Sequence, residues 1–227
     1  MGTVDKQGRL IVLEGTDGSG KSTQFQLLCR RLEAAGKPFH RLVFPQYQEP
    51  SSALVRMYLG GAFGSHPEDV GPYAASTFYA VDRYASMKRV WGEIYRAGGL
   101  VLSDRYTTSN AVHQTGKLPP EEWETFLRWL ADFEYDKLGL PRPDLVLYLD
   151  MPTERAVELL RRRERETHSK GDIHEVDEAY LAQCRRAAHT AAALWGWVRI
   201  SCVTPEGQVR PEEDIHREIW DLVSEHL

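Results

Sequence analysis

The chain has 227 residues, 42% hydrophobic and 27% charged, with a formal net charge of −5, a size and balance suited to one packed domain and poorly suited to a nucleic-acid backbone, which needs clustered Lys and Arg. No apolar run approaches the roughly 20 residues that span a bilayer, and the opening MGTVDKQGRL lacks the apolar stretch of a signal peptide. The cysteines, Cys29, Cys184 and Cys202, are odd in number and show no CxxC spacing, so a reduced, cytoplasmic protein without a disulfide framework or zinc site is expected.

In chain order, residues 1–9 are polar and read as a flexible lead, and 10–227 as a single domain. Leu10 to Leu13 form an apolar run of the kind that makes a buried parallel strand. It ends at Glu14 and opens onto Gly15-Thr16-Asp17-Gly18-Ser19-Gly20-Lys21-Ser22, which fits GxxxxGK followed by Ser or Thr. From Lys21 onward, Phe25, Leu28 and Leu32 recur at helical spacing, and Gly36 with Pro38 gives the stop. The motif thus lies between a strand and a helix, as a P-loop must; the bland alternative is a Gly-rich turn with no ligand. Glycines let successive backbone N–H groups face a β-phosphate, and the N-terminal end of the following helix adds partial positive charge. Lys21 is placed to bridge the β- and γ-phosphates of ATP and Ser22 to set its hydroxyl on Mg²⁺, with Thr23 closing the ATP-binding run. Asp17 is unusual, because a carboxylate in an anion-binding loop is unfavourable without a cation or donor beside it. It is expected to contact the acceptor, or the metal through water, and to belong with Lys21 to the catalytic set.

Further apolar runs at 41–44, 100–103, 144–150 and 198–203 alternate with helical stretches near 74–98, 121–137, 153–165 and 176–195. Ile215, Ile219, Leu222 and Val223 mark a last amphipathic helix. Five strands alternating with helices predict an α/β fold, a five-stranded parallel sheet of P-loop NTPase type with ligands at the carboxyl ends of the strands. On that edge stands Asp104-Arg105-Tyr106. Asp104 suits Mg²⁺ or its waters, and Arg105 has the forked group that clamps phosphate oxygens; a plain surface salt bridge is the competing reading. Trp91, Trp123 and Trp129 are expected in the core or an interface.

These motifs resemble the thymidylate kinase family, and the similarity runs from Leu10 to Trp197. It is carried by the P-loop with its internal acid Asp17, and by Tyr79-Ala80-Val81-Asp82-Arg83, similar to the family's aromatic-x-x-x-Arg segment. The third part is Asp104-Arg105-Tyr106 followed by Ser109 and Gln114. The resemblance implies a nucleoside-monophosphate-kinase fold with a lid, transfer of the γ-phosphoryl of ATP to dTMP in dTTP synthesis, and a homodimer packed through helices. It also implies that Tyr79 stacks on thymine and Arg83 bonds its carbonyl edge, with Tyr47, Arg105, Ser109 and Gln114 completing the dTMP site. At i and i+4 of a helix, Tyr79 and Arg83 share a face. Stacking is indifferent to the base, so Arg83 and Gln114 would have to supply the pyrimidine preference. The alternative for the pair is a cation lying on a ring.

Three positions depart from the family pattern. Many relatives carry an arginine for the acceptor phosphate after the second strand, where this chain reads Phe44-Pro45-Gln46-Tyr47; the phosphate then leans on Arg105, with Arg56 as a second candidate. The family's S-x-x-A-Y-Q stretch has His113 in place of its Tyr. Some relatives place a catalytic arginine in the P-loop at what is here Gly18, so the transition-state cation is expected from the lid, residues 161–175. Arg161 and Arg165 share a helix face there, and closure would exclude water. A solvated helix end is the other reading of these arginines, and Glu175 is either a metal or acceptor contact or a helix-capping acid.

An acceptor phosphate is already ionised at neutral pH, so alignment and charge neutralisation by Lys21, Mg²⁺, Arg105 and a lid arginine suffice without a strong base. A deoxynucleoside kinase would need a base that Gln46-Tyr47 does not supply; a pyrimidine monophosphate kinase of other specificity is the second alternative. A P-loop switch protein would need a guanine-reading NKxD stretch, which the sequence lacks.

Overall fold

The computed structural model describes residues 8–64, 66–167 and 178–227. Five strands, β1 (Arg9–Glu14), β2 (His40–Val43), β3 (Leu100–Asp104), β4 (Leu145–Asp150) and β5 (Val198–Ser201), form one parallel sheet in the order β2-β3-β1-β4-β5. All five expected strands are present, shifted by a residue or two at their ends. Central β1 is covered on both faces, which is why it reads as an unbroken apolar run. Its side chains alternate. Leu10 and Val12 join a core with Val101, Val146 and Tyr148, while Ile11 and Leu13 join a second with Leu102, Leu147 and Leu149.

Nine α-helices lie among the described residues: α1 (Lys21–Ala34), α2 (Ala53–Leu59), α3 (Pro72–Ser86), α4 (Gly92–Arg96), α5 (Thr107–His113), α6 (Trp123–Ala131), α7 (Thr153–Thr167), α8 (Glu178–Trp195) and α9 (Glu212–Ser224). Helices α5, α6 and α8 close the first core; α1, α7 and α9 close the second. All three cysteines are buried free thiols. Trp91 and Trp123 are core residues and Trp129 packs against the same cluster. Among the described residues no helix is long and apolar enough to cross a membrane.

The structure corrects several element boundaries. Strand β1 begins at Arg9, and Gly8 N–H donates to Tyr95 O at 2.8 Å, so the expected lead ends sooner; residues 1–7 lie outside the described set. The single helix expected over 74–98 is α3 and α4 joined by a π-helical turn, Met87–Trp91. The extra residue in that turn rotates Trp91 inward against Tyr95 and Tyr106. Likewise 121–137 is α6 followed by a π-helical turn, Asp132–Lys137, which carries Glu134 and Tyr135 into the interior. Helices α2 and α5 were not expected.

Candidate active site

The loop from Gly15 to Gly20 joins β1 to α1 at the carboxyl edge of the sheet, as its motif requires. Gly18 and Gly20 have φ of 81° and 82°, a region that only glycine enters without cost. A side chain on Gly18 would also meet the Ala156 carbonyl of α7. An arginine at this P-loop position is therefore sterically excluded with α7 where it stands. Lys21 is buried at the first position of α1 and pairs with Asp104 at the end of β3, 3.2 Å away.

Arg105 follows Asp104 and is the one non-glycine among the described residues with positive φ, 68°. That turn directs its guanidinium back over the P-loop. Nη2 donates to Asp17 Oδ1, and Nη1 lies 3.2 Å from His113 Nε2. Here is the cation that Asp17 needed. Burial works against the Asp17 charge, but Arg105 foremost, with His113 and Lys21, outweighs it and holds the carboxyl well below the usual carboxylate range.

Glu14, which carried no motif, is fully buried beneath the loop. Its Oε1 accepts from Gly15 N–H at 2.9 Å, and its Oε2 from Thr108 Oγ1 and Ser109 Oγ at 2.7 and 2.6 Å. The Ser109 hydroxyl proton is thus engaged, and its oxygen keeps only lone pairs for a ligand.

One cleft of about 560 Å³ runs from the P-loop to the far ends of α3 and α5. It is lined by every P-loop residue from Thr16 to Thr23, and by Tyr47, Tyr79, Arg83, Asp104, Arg105, Ser109 and Gln114. Gly15 does not line it. Gln114 Oε1 is a buried acceptor with no hydrogen-bond partner among the described residues. Asn110 and His113 line the cleft as well, and sequence reasoning did not single out Asn110.

Arg83 is only 2% exposed, and Glu134 holds it: Nε donates to Oε2 at 2.7 Å and Nη2 to Oε1 at 2.5 Å, while Nη1 reaches Tyr106 O at 3.3 Å. Burial alone would lower its pKa; the facing carboxylate reverses this and keeps the guanidinium charged. Arg56 is turned elsewhere. Its Nη1 donates to Tyr47 O, Glu49 O and Ser52 Oγ, and it does not line the cleft. Gln46 N–H donates to buried Asp82 at 2.8 Å, so that carboxylate shapes the loop.

Arg161 and Arg165 sit exposed near the end of α7, joined by Arg165 Nε to Arg161 O at 3.2 Å. Neither lines the cleft, although Leu159 and Leu160 just before them do. Glu175 and the rest of the expected lid from residue 168 lie outside the described residues.

A family model described as thymidylate kinase matches residues 13–212. A thymidylate kinase of Mycobacterium tuberculosis is 33% identical over 190 residues, covering 83% of this chain and 87% of the relative. A probable thymidylate kinase of Pyrococcus abyssi is 26% identical over 223 residues, 97% of this chain and 98% of that one. The solved structure of thymidylate kinase from Candida albicans superposes with a TM-score of 0.71 at 19% identity, over 97% of this chain and 92% of the other, a likeness of fold.

Proposed function

The chain belongs to the thymidylate kinase family, and from that premise we propose that its cleft moves the γ-phosphoryl of ATP onto dTMP, giving dTDP and ADP. The observation that supports this best is the continuity of the cleft, in which the P-loop cradle, the Asp17–Arg105 pair and the Tyr79–Arg83 face line one space. Donor and acceptor phosphates can therefore meet within it.

The backbone N–H groups of the P-loop and Lys21 take the β- and γ-phosphates. Arg105, anchored by Asp17, offers its remaining N–H groups to the acceptor phosphate. Tyr79 stacks on the base, Arg83 donates to its carbonyl edge, and Tyr47, Ser109 and Gln114 complete the acceptor wall. An acceptor oxygen attacks the γ-phosphorus in line as the bond to the ADP oxygen breaks, with no protein base required.

The donor set fits a hard cation. Asp104 Oδ1 is buried and faces the Lys21 ammonium at 3.2 Å, and Ser22, the second residue of α1, lines the same cleft. Ser22 and Asp104 would hold Mg²⁺, which when bound with ATP neutralises the β- and γ-phosphate oxygens. The last positive charge is assigned to Arg161, which directly follows the cleft-lining Leu160, or to Arg165 just over a turn further along α7, brought in by movement of the lid. Val81, Tyr84, Val90 and Ile94 are exposed apolar residues on α3, the turn after it and α4, and a second copy of the chain is the partner assigned to that face. Three free buried thiols suit the reducing cytoplasm.

The test is ADP release with ATP–Mg²⁺ against dTMP, dUMP, dCMP, AMP, thymidine and no acceptor. Turnover confined to dTMP, with weaker dUMP, is expected, and Lys21→Ala should abolish it while far-UV circular dichroism stays unchanged. Turnover on thymidine but not dTMP, or near-normal activity of the Lys21 variant, would overturn the assignment.

A further inference from the structure

Glu134 lies on the π-helical turn after α6, belongs to no motif and touches no phosphate site, yet it is a fully buried carboxylate beside the acceptor end of the cleft. Each of its oxygens accepts two bonds. Oε1 takes Arg83 Nη2 and Asn110 Nδ2, the latter at 3.0 Å; Oε2 takes Arg83 Nε and Thr107 Oγ1, the latter at 2.8 Å. A carboxylate has about four such acceptor positions, so Glu134 is saturated. It has no capacity left for a ligand; its effect falls on the two cleft residues it binds.

For Arg83, the Nε and Nη2 fork fixes the plane of the guanidinium, and the Tyr106 carbonyl takes one Nη1 hydrogen. The N–H groups left over can only donate. For Asn110, both Nδ2 hydrogens are engaged, one by Glu134 and one by Ser76 O at 3.2 Å. Since both of those partners are acceptors only, the amide cannot turn over, and Oδ1 remains as its one group for the cleft. One buried acid thus sets a donor and an acceptor side by side. A buried ion pair is weak evidence of stabilisation, because desolvation offsets much of its attraction, and its better-attested use is to specify one arrangement.

We infer that Glu134 is a specificity-determining positioning residue, which fixes the donor–acceptor order that Arg83 and Asn110 present to the acceptor's base. This rests on the reading that Arg83 faces that base. A base edge bearing a carbonyl oxygen next to a ring N–H, as in thymine or uracil, matches the order at both positions. Cytosine, with an amino group next to an unprotonated ring nitrogen, fails at both. Glu134→Gln replaces one acceptor by an NH₂ donor, so in either placement the Arg83 fork loses a partner; with the NH₂ at the Oε1 position Asn110 loses its acceptor as well, and its amide turns over to put its NH₂ in the cleft.

The experiment compares kcat/KM for dTMP and dCMP, and KM for ATP, in the wild type, Glu134→Gln and Arg83→Lys, with thermal melts of each. Glu134→Gln should lower the dTMP to dCMP ratio by about tenfold or more, mostly through KM for dTMP, and leave KM for ATP within twofold. An unchanged ratio in a folded Glu134→Gln protein would overturn the inference. Arg83→Lys separates the two levels: if it keeps the wild-type ratio, the base-facing reading of Arg83 falls and the inference with it. If it loses the ratio while Glu134→Gln keeps it, only the role of Glu134 falls. Should Glu134→Gln not fold, Thr107→Val, which keeps the carboxylate and removes one donor, is read on the same substrates; a smaller fall supports the inference and no fall overturns it.

Discussion

Arg105 shows how much a single residue is asked to do. Its φ of 68° costs about 1–3 kcal/mol for a side-chain-bearing residue, and the return is a guanidinium that meets Asp17 and His113 together and still faces the cleft. Lysine keeps the charge but is a single point, unable to hold two partners and a phosphate in one plane. Arg105→Lys should therefore lower kcat/KM for dTMP by about 10²-fold with the melting temperature nearly unchanged; a loss under threefold in steady-state kinetics would show that the fork is not needed. Residues of this kind were legible in the sequence because their positions are set by local backbone geometry: a P-loop, or an Asp-Arg pair at a strand end. Glu14 and Glu134 were not. Their side-chain partners lie 24 to 95 residues away, and a lone glutamate carries no pattern until the fold brings those donors to it.

Elements were read well where periodicity was strong and poorly where tertiary contacts decide. The strands followed from apolar runs buried on both faces. Helix α5, Thr107–His113, is seven residues rich in poor helix formers, and it exists because its hydroxyls and amide bond to Glu14 and Glu134. The two π-helical turns were invisible, since one inserted residue leaves the apolar count of the segment unchanged. At the first of them, a Cβ on Gly92 would fall against the Met87 carbonyl oxygen five residues back, the close approach that the wider turn creates. Gly92→Ala raises intrinsic helix propensity, so an ordinary helix would gain about 1 kcal/mol. Here the crowding should reverse the sign and cost about 1–3 kcal/mol, lowering the melting temperature by about 2–4 °C per kcal/mol for a chain of this size. A rise in calorimetric melting temperature would mean that the turn relaxes to an α-helix without penalty.

At the scale of the whole molecule, α3 couples the acceptor site to the exposed apolar face. Ser76, Ala80 and Arg83 recur at i, i+4 and i+7 toward the interior, while Val81 and Tyr84 are exposed. The helix that carries Tyr79 and Arg83 is therefore backed on its outer side by whatever covers Val81. If a second copy covers it across a two-fold axis, each substitution acts twice. Burying an unpaired carboxylate costs at least about 2 kcal/mol, so Val81→Glu should weaken the dimer by about 4 kcal/mol, roughly a thousandfold in Kd. Sedimentation velocity at micromolar concentration should then show a dimer for the wild type and a monomer for the variant, with KM for dTMP raised and KM for ATP unchanged, because Val81 is carried by the helix of Tyr79 and Arg83 while α1 packs into the second core. A wild-type monomer, or a variant that stays dimeric, would remove the second copy from α3 and leave the acceptor site to be held by the contacts of one chain.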